Sequence, residues 1–402
     1  MARRAPVPFR SRARVGRVRS GLEELLARPG RLRGVRVGLI ANPTTITPDL
    51  VHASLALKQS RAFRLTALFG PEHGIWADAQ DLIEVEDSRD PATGLPIFSL
   101  YGKTRVPTAE MLSGVDALIF DVQDVGARYY TFIYTMLHAL QACARYRRRL
   151  VVLDRPNPLG GTALEGNVLE PEYLSFVGMH PLPPRHGMTV GELALLFREE
   201  LGLDAALTVV RMRGWRREMS FEETGLPWVM PSPNMPTLDT ATVFPGTVHV
   251  EGTQMSEGRG TTRPFELVGA PYVDAENYGR RLNDLGLPGV HFRPTVFQPT
   301  FQKHGGRSCG GVQIHVLDRD AFEPVKAGLA VVKIAYDMYA SEFKWKQPPY
   351  EYVFDKNPFD VIAGTSALRE AMESGRSLDE MEKSWQVGLD AFCRTRAKYL
   401  LY

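Results

Sequence analysis

Residues 115–124 read VDALIFDVQD, an apolar run of strand length that ends in carboxyl and amide side chains. Three other apolar runs in the first 157 residues end in the same way: Val35 to Ile40 ends at Asn42, residues 63–69 at Gly70-Pro71-Glu72-His73-Gly74, and residues 149–153 at Asp154-Arg155-Pro156-Asn157. The carboxyl ends of neighbouring strands in a parallel sheet face one crevice, so these clusters are expected to meet in space. The pattern predicts an α/β fold with one polar site.

Helical patterns separate the predicted strands. Residues 130–146 carry apolar side chains at the spacing of one buried helical face, and Thr189 and Glu192 form a capping-box pattern at the start of another helix. The Pro- and Gly-rich residues 225–269 are predicted to form a long loop or a domain junction. Further strands are predicted at 207–210, 290–297 and 311–316, and further helices at 321–339 and 378–396. We predict a parallel-sheet domain over 21–245 and a smaller α+β domain over 246–402.

Composition limits the classes of protein to consider. The 402 residues have a formal net charge of +2, but residues 1–20 hold seven arginines and no acid, which predicts a disordered basic tail and a mildly acidic body. That body offers no basic face for nucleic acid. Apolar stretches are too short for a membrane span, no signal segment is visible, and three widely separated cysteines favour a reducing compartment. These features predict a cytoplasmic protein, unless a mis-assigned start hides an export signal.

Glu72 is the first candidate for chemistry. It follows a predicted strand, lies between Pro71 and His73, and is bracketed by Gly70 and Gly74, which permit a tight turn. A carboxyl group at the mouth of a crevice is suited to general acid or base catalysis. The alternative is a turn residue whose side chain lies in water.

Two later segments supply further carboxylates. Asp121 and Asp124 flank Gln123 after a strand and can hold a ligand or a catalytic water, although Asp124 can also simply pair with Arg128. Glu257 lies in a glycine-rich segment, 252–262, in which the backbone can approach a ligand closely.

Common cofactor and nucleophile motifs are missing from the sequence. It contains no G-x-x-x-x-G-K-[ST], no G-x-G-x-x-G after the first strand and no G-x-S-x-G. The nine histidines show no H-E-x-x-H or Cys/His metal spacing. We therefore predict no metal and no cofactor, and a nucleotide-dependent enzyme is the weakest alternative.

Five segments, 70–74, 120–131, 153–161, 231–237 and 251–262, together resemble the family of exo-acting β-N-acetylmuramidases, formerly a domain of unknown function (DUF1343). The resemblance runs from about residue 34 to the C-terminus. It implies a Rossmann-like N-terminal domain, a smaller C-terminal domain and an active-site cleft between them. It also implies a glycoside hydrolase that removes terminal N-acetylmuramic acid from the non-reducing end of peptidoglycan fragments, with Glu72 as the catalytic residue. A non-catalytic muropeptide-binding or sugar-binding protein of the same fold is the alternative.

The resemblance directs the choice of site residues. With Glu72 as the acid, the second carboxylate is expected among Asp121, Asp124 and Glu257, unless the substrate's acetamido oxygen attacks instead. His73 completes the predicted catalytic set. The predicted substrate-binding residues are Asn42, Gln123, Arg128, Tyr129, Asn157, Asn234, Thr253, Ser256 and Arg259.

This chain departs from the family pattern at two places. Trp76 and Ala77 stand where a basic residue and a glycine are expected, and Gln254 stands where asparagine is common. Both changes can alter substrate preference. The expected partner is a small saccharide or muropeptide, and the sequence leaves the oligomeric state open.

Overall fold

The computed structural model describes residues 16–80 and 86–402. Its strands are β1 (Arg36–Ile40), β2 (Arg64–Gly70), β3 (Ser88–Arg89), β4 (Pro96–Ser99), β5 (Ala117–Phe120), β6 (Arg149–Leu153), β7 (Ala206–Val210), β8 (Leu267–Ala270), β9 (Val290–Phe297) and β10 (Cys309–Val316). Its α-helices are α1 (Gly21–Ala27), α2 (Ala53–Gln59), α3 (Phe132–Arg145), α4 (Val190–Glu200), α5 (Leu238–Thr247), α6 (Ala275–Asn283), α7 (Pro324–Met338), α8 (Pro358–Ala363), α9 (Ala367–Glu373) and α10 (Leu378–Arg396).

The larger sheet has the strand order β3-β4-β2-β1-β5-β6-β7. Every neighbouring pair is parallel except β3 with β4. Without β3, the order is that of a Rossmann-type sheet, which reverses direction between β1 and β5. β1, β5 and β6 are buried almost throughout, which explains why the sequence shows continuous apolar runs there. The predicted α/β class is confirmed.

The helices of the first half follow the predicted pattern. In α3, Ile133, Met136, Leu137 and Leu140 are all buried. At the start of α4, the Thr189 side chain accepts a hydrogen bond from the Glu192 backbone, and the Glu192 carboxylate accepts one from the Thr189 backbone. The capping box predicted from sequence is therefore confirmed.

The second half is built on the antiparallel sheet β8-β10-β9. The helix α7 packs against α5, and the two backbones approach closely at Gly246 and Gly328, where a methyl group on either glycine would overlap the other helix. This contact fixes α5 and the 3₁₀ turn that follows it, Val248–Gly252.

The prediction of a loop over 225–269 is wrong in part, because α5, the 3₁₀ turn and β8 lie inside it. Two features concealed α5 in the sequence. Pro245 and Gly246 lie within the helix, and residues 240–247 are all buried, so the helix has no polar face to reveal its period.

The predicted tail over 1–20 needs a correction at its end. Residues 1–15 lie outside the described residues, but Val18 is fully buried against Met212, Trp215 and Met219. Ser20 caps α1 in a capping box with Glu23. The folded chain therefore begins before residue 20. Across the two described stretches, no helix has the length and apolar character that a membrane crossing requires.

Candidate active site

A pocket of about 580 Å³ lies at the carboxyl end of β2 and the N-terminus of α3. Both halves of the chain line it: Glu72, His73, Tyr129, Tyr130, Thr131, Phe132, Val177, Ser232, Asn234, Met235, Phe244, Val248, Glu251, Arg259, Phe265, Tyr350 and Glu351.

A tight turn positions Glu72. A side chain at Gly70 would place its Cβ 2.9 Å from the Ile75 backbone nitrogen, and Gly74 has φ +80°, so glycine is required at both ends of the turn. The turn directs Glu72 to the first residues of α3, where the Thr131 hydroxyl donates a hydrogen bond to its Oε2. Glu72 is 7% exposed. It is thus a nearly buried carboxyl group with a neutral hydrogen-bond donor.

His73 lines the same pocket in a strained conformation. Its φ is +69°, which costs a non-glycine residue roughly 1–3 kcal/mol and is retained where the surrounding structure enforces it. The ring Nδ1 lies 2.9 Å from the Ala79 carbonyl oxygen, so Nδ1 carries the proton and donates it. Phe265 and Glu351, also in the pocket, share the positive φ. Three of the ten described non-glycine residues with positive φ thus line this pocket.

Glu251 is a second carboxylate in the pocket, and the sequence analysis did not select it. Its Oε1 accepts a hydrogen bond from Arg259 Nη2 at 2.7 Å, and its Oε2 accepts one from the Tyr350 hydroxyl at 2.7 Å. Burial raises the pKa of Glu251, but the Arg259 charge and the Tyr350 hydrogen bond outweigh it and leave that pKa below its ordinary value. Glu251 is therefore ionised at neutral pH.

Glu257 lies behind Arg259, not among the residues that line the pocket. Its Oε2 is 2.8 Å from Lys303 Nζ, and its Oε1 is 3.4 Å from Arg259 Nε. Lys303 also donates to the backbone carbonyls of Val250 and Met255. Glu257 consequently holds two cations in place, and its role as the second catalytic carboxylate stays a prediction.

Asp121 and Asp124 also lie away from the pocket. Asp121 is fully buried, and its Oδ1 accepts a hydrogen bond from Arg155 Nε at 2.6 Å. Asp124 Oδ2 accepts one from the Gly126 backbone at 2.7 Å and lies 3.6 Å from His186 Nε2. These contacts bind the loops after β5 and β6 together. Neither aspartate lines the pocket, and the role of either as the second catalytic group stays a prediction.

Arg128, which is predicted to bind substrate, does not line the pocket. It is fully buried, and it donates to the carbonyl oxygens of Asn167, Leu182, Ile362 and Ala363 at 2.7–3.2 Å. Burial lowers its pKa. It ties the sheet domain to the C-terminal end of α8, so its guanidinium is committed to the protein's own carbonyl groups.

Three predicted substrate-binding residues, Tyr129, Asn234 and Arg259, line the pocket. The Asn234 amide donates to Gln80 Oε1 at 3.0 Å, and the Tyr129 hydroxyl lies 3.3 Å from His249 Nε2. Arg259 is the only arginine or lysine among the described residues that line the pocket.

The remaining predicted binders do not line the pocket, and their side chains make hydrogen bonds that shape loops. Asn42 donates to the Pro231 carbonyl, Gln123 to those of Asp124 and Pro156, Asn157 to that of Met188, and Thr253 to that of Val250, while Ser256 accepts from the Gly258 backbone. Short polar residues in glycine-rich loops often bond the neighbouring backbone in this way, and contact of these five residues with substrate stays a prediction.

The polar pocket residues that the sequence analysis missed are Tyr130, Thr131, Ser232, Glu251, Tyr350 and Glu351. The first four belong to segments already singled out by their resemblance, so the signal was present but unassigned. Residues 350 and 351 carried no such signal. In the described part of the chain, no group of three or more His, Cys, Asp or Glu residues is arranged to hold a metal ion.

Two family models cover nearly all of the chain. Residues 37–239 match the N-terminal model of exo-beta-N-acetylmuramidase NamZ, and residues 242–402 match the C-terminal model. The chain belongs to this family. The NamZ family match confirms the resemblance inferred from the motifs. The boundary predicted at residue 245 stays a prediction.

Relatives of the NamZ family match over almost the full length. The peptidoglycan beta-N-acetylmuramidase NamZ of Bacillus subtilis (strain 168) is 49% identical over 391 residues, which cover 97% of this chain and 92% of that protein. Two crystal structures of DUF1343 family proteins from Bacteroides fragilis NCTC 9343 share the fold. One has a TM-score of 0.86 at 37% identity and covers 97% of this chain and 100% of that one. The other has a TM-score of 0.77 at 28% identity, with 96% and 99% covered.

Proposed function

We propose that this protein is an exo-β-N-acetylmuramidase that hydrolyses terminal N-acetylmuramic acid from the non-reducing end of peptidoglycan fragments such as MurNAc-β-1,4-GlcNAc. The observation that carries the proposal is that two of the three carboxyl groups lining the pocket lie in different surroundings, Glu72 beside a neutral hydroxyl and Glu251 beside an arginine. Glycoside hydrolysis commonly uses such a pair. The supporting match to the NamZ family extends over both halves of the chain.

Glu72 is the proposed general acid. As the bond between C1 of the sugar and the glycosidic oxygen breaks, its electron pair goes to that oxygen, which takes the proton of Glu72. The hydrogen bond that the Thr131 hydroxyl donates to Oε2 orients the carboxyl group in the pocket.

Glu251 is the proposed second carboxylate, in place of Asp121, Asp124 and Glu257. Its lowered pKa keeps it negative while positive charge develops at C1. It can act on C1 directly, activate the water that completes hydrolysis, or orient the acetamido group of the substrate for attack by its own oxygen. The anomer released first, followed by NMR, separates the inverting course from the two that retain configuration.

Arg259 is the proposed partner of the lactyl carboxylate that distinguishes N-acetylmuramic acid from N-acetylglucosamine. Its guanidinium lies 2.7 Å from Glu251 and 3.4 Å from Glu257, so its position in the pocket is fixed by two carboxylates. A guanidinium matches a carboxylate geometrically and with opposite charge. Arg259 would thus place C1 of the sugar beside Glu251.

A Glu72→Gln variant tests the acid role with two substrates. On the disaccharide, release of N-acetylmuramic acid should fall by about 10²–10⁴-fold, because the glutamine cannot give up a proton. On the β-fluoride of N-acetylmuramic acid the loss should be much smaller, because fluoride leaves without being protonated.

Glu172→Gln, a change at an exposed glutamate, is the matched control and should behave as the parent. Disaccharide binding without release by the parent, and no effect of Glu72→Gln on that binding, would favour the sugar-binding alternative. Equal losses on both substrates would remove the acid role while keeping Glu72 in the site.

The cytoplasm is the proposed compartment, where the enzyme would act on imported fragments. The support is cysteine chemistry: Cys143 and Cys309 are buried free thiols, and Cys393 is an exposed one. Cell fractionation with antibody detection tests this, and recovery in the extracellular fraction would refute it.

A further inference from the structure

Glu351 and Tyr352 form a two-residue turn between Tyr350 and Val353, and their side chains are unfavourable for its backbone conformation. The Tyr350 backbone donates to the Val353 carbonyl at 2.9 Å, and the Val353 backbone donates to the Tyr350 carbonyl at 2.8 Å. Between them, Glu351 has φ +46° and Tyr352 has φ +67°. Two consecutive positive φ angles define a type I′ turn, which strongly favours Asn-Gly. Glu-Tyr at these positions lowers stability, so the side chains have a reason to be there beyond folding.

This turn leads from the pocket to the surface. Tyr350 is 7% exposed, and its hydroxyl bonds Glu251, whereas Tyr352, two residues on, is 48% exposed. Glu351 lies between them and lines the pocket. The turn therefore forms part of the rim.

An aromatic cluster faces Tyr352 across this rim. The guanidinium carbon of Arg105 lies 4.0 Å from the centroid of the Tyr352 ring and 4.1 Å from that of the Phe176 ring. Tyr101, buried beneath, packs against Phe176 with ring centroids 5.7 Å apart. Arg105 thus joins two rings from distant parts of the chain and fixes the orientation of an exposed tyrosine.

The cluster adjoins the pocket that holds the proposed acid. Burial, followed by the negative charge of Glu72, raises the pKa of Tyr101. Val177, next to Phe176, lines the pocket itself. If the terminal sugar fills the pocket, the sugar attached through the oxygen that Glu72 protonates must lie on the rim side of Glu72. Glu351 and Val177 line the pocket and are chain neighbours of Tyr352 and Phe176, so the cluster adjoins the pocket at this rim.

We propose that Tyr352, Arg105 and Phe176 form the binding subsite for the leaving sugar, a β-linked N-acetylglucosamine. The C–H face of a pyranose packs on an aromatic ring, and the guanidinium donates to its hydroxyl or acetamido oxygens. This inference rests on the proposed function, since it assigns the second sugar of the same substrate.

The test compares the disaccharide with the β-fluoride of N-acetylmuramic acid, whose leaving group is a single atom and fills no sugar subsite. In Tyr352→Gly, the ratio of kcat/KM for the disaccharide to kcat/KM for the fluoride should fall about tenfold, the loss expected for one aromatic contact. The melting temperature should stay equal or rise, because glycine accepts positive φ. Tyr352→Phe, which keeps the aromatic ring, should leave this ratio of kcat/KM values near that of the parent.

Phe354→Ala is the matched control, because Phe354 is 74% exposed and outside the cluster. An unchanged ratio in Tyr352→Gly, or equal losses on both substrates, overturns the subsite. Release from the fluoride but not the disaccharide by the parent also overturns it. Silence of the parent on both substrates overturns the proposed function and this subsite with it.

Discussion

Polar side chains follow the strands at two neighbouring places on the carboxyl edge of the large sheet, and they form different structures there. Between β1 and β5, where the strand order reverses, Asp121 pairs with Arg155 and both are buried. Beyond β2, Glu72 faces a pocket with a hydroxyl as its hydrogen-bond partner. Ligands of Rossmann-type folds commonly bind at the reversal point. Here a buried ion pair occupies part of that place, and the pocket that holds Glu72 lies to one side, against the second half of the chain.

The two regions differ in whether a cavity adjoins the carboxylate and its hydrogen-bond partner. Asp121 pairs with Arg155 from the loop after the next strand, and this buried ion pair stabilises the fold. Glu251 also meets an arginine, but Arg259 lies in the pocket beside it, so the pair can still contact a ligand. The same residue types can therefore stabilise the fold or contact a substrate, depending on whether a cavity adjoins them.

The largest expected effects are those that distinguish the Glu251→Gln variant from the Asp121→Asn variant. Glu251→Gln should reduce kcat by about a hundredfold or more on both disaccharide and fluoride, because it removes charge beside C1. Asp121→Asn should leave kcat per folded molecule near that of the parent. It should lower the free energy of unfolding by roughly 3–5 kcal/mol, because Arg155 is left buried without its counter-charge.

Urea unfolding and initial rates on each variant measure the two quantities. The contrast between the regions fails if Asp121→Asn reduces kcat while the protein remains folded. It also fails if Glu251→Gln retains activity on either substrate.

Substitutions of Arg259 and Arg128 should likewise differ in whether they change substrate binding or stability. Arg259→Lys should raise KM for the disaccharide roughly tenfold, since lysine keeps the charge but loses the bidentate geometry. Arg128→Lys should leave KM unchanged and lower the melting temperature, because it cannot satisfy four carbonyl groups at once.

A substrate with terminal N-acetylglucosamine, which lacks the lactyl group, is the control for Arg259. Its KM should be little affected by Arg259→Lys. An equal rise in KM for both substrates would show that Arg259 does not bind the lactyl carboxylate.

These contrasts show what the sequence could and could not predict. Buried parallel strands are apolar from end to end, so β1, β2, β5 and β6 were visible as runs, and the capping box of α4 is a local pattern. The helix α5 was not visible, because burial on all sides removes its periodicity.

The site was harder to predict than the fold, because its contacts join residues far apart in the chain. Glu72 stood out through its glycine-bounded turn. Nothing local distinguishes Glu251, which accepts a bond from Tyr350, from Glu257, whose partner is Lys303. Only the packing of the second half against the sheet decides which of the two faces the cavity.

A third buried carboxylate, Asp154, follows β6 and should affect how the free energy of unfolding changes with pH. It accepts hydrogen bonds from the Gly191 backbone, the Thr189 hydroxyl and the Tyr402 hydroxyl, yet burial raises its pKa to about 6. Because the folded state holds this proton more tightly than the unfolded chain, its contribution to stability is present below about pH 4 and lost as pH rises through 6. Asp154→Asn should therefore lose less stability than the parent between pH 4 and pH 7.

The asparagine can keep these contacts, since its oxygen can accept from the Gly191 backbone while both hydroxyls rotate to accept from its amide. Asp390→Asn, at an exposed aspartate, should reproduce the parent's pH dependence. Identical curves for Asp154→Asn and the parent would show that Asp154 does not titrate in this range.

The smallest expected effect concerns the backbone next to the Glu72 turn. Ala77 has φ +51°, at the position where the family resemblance led us to expect glycine. Ala77→Gly should raise the free energy of unfolding by up to about 1 kcal/mol, because relief of the left-handed strain exceeds the entropy that glycine adds to the unfolded chain. Ala56→Gly, inside α2, should lower it by about the same amount. If the two changes destabilise the protein equally, the strain around this pocket does not extend to Ala77, and the departure from glycine there carries no penalty in stability.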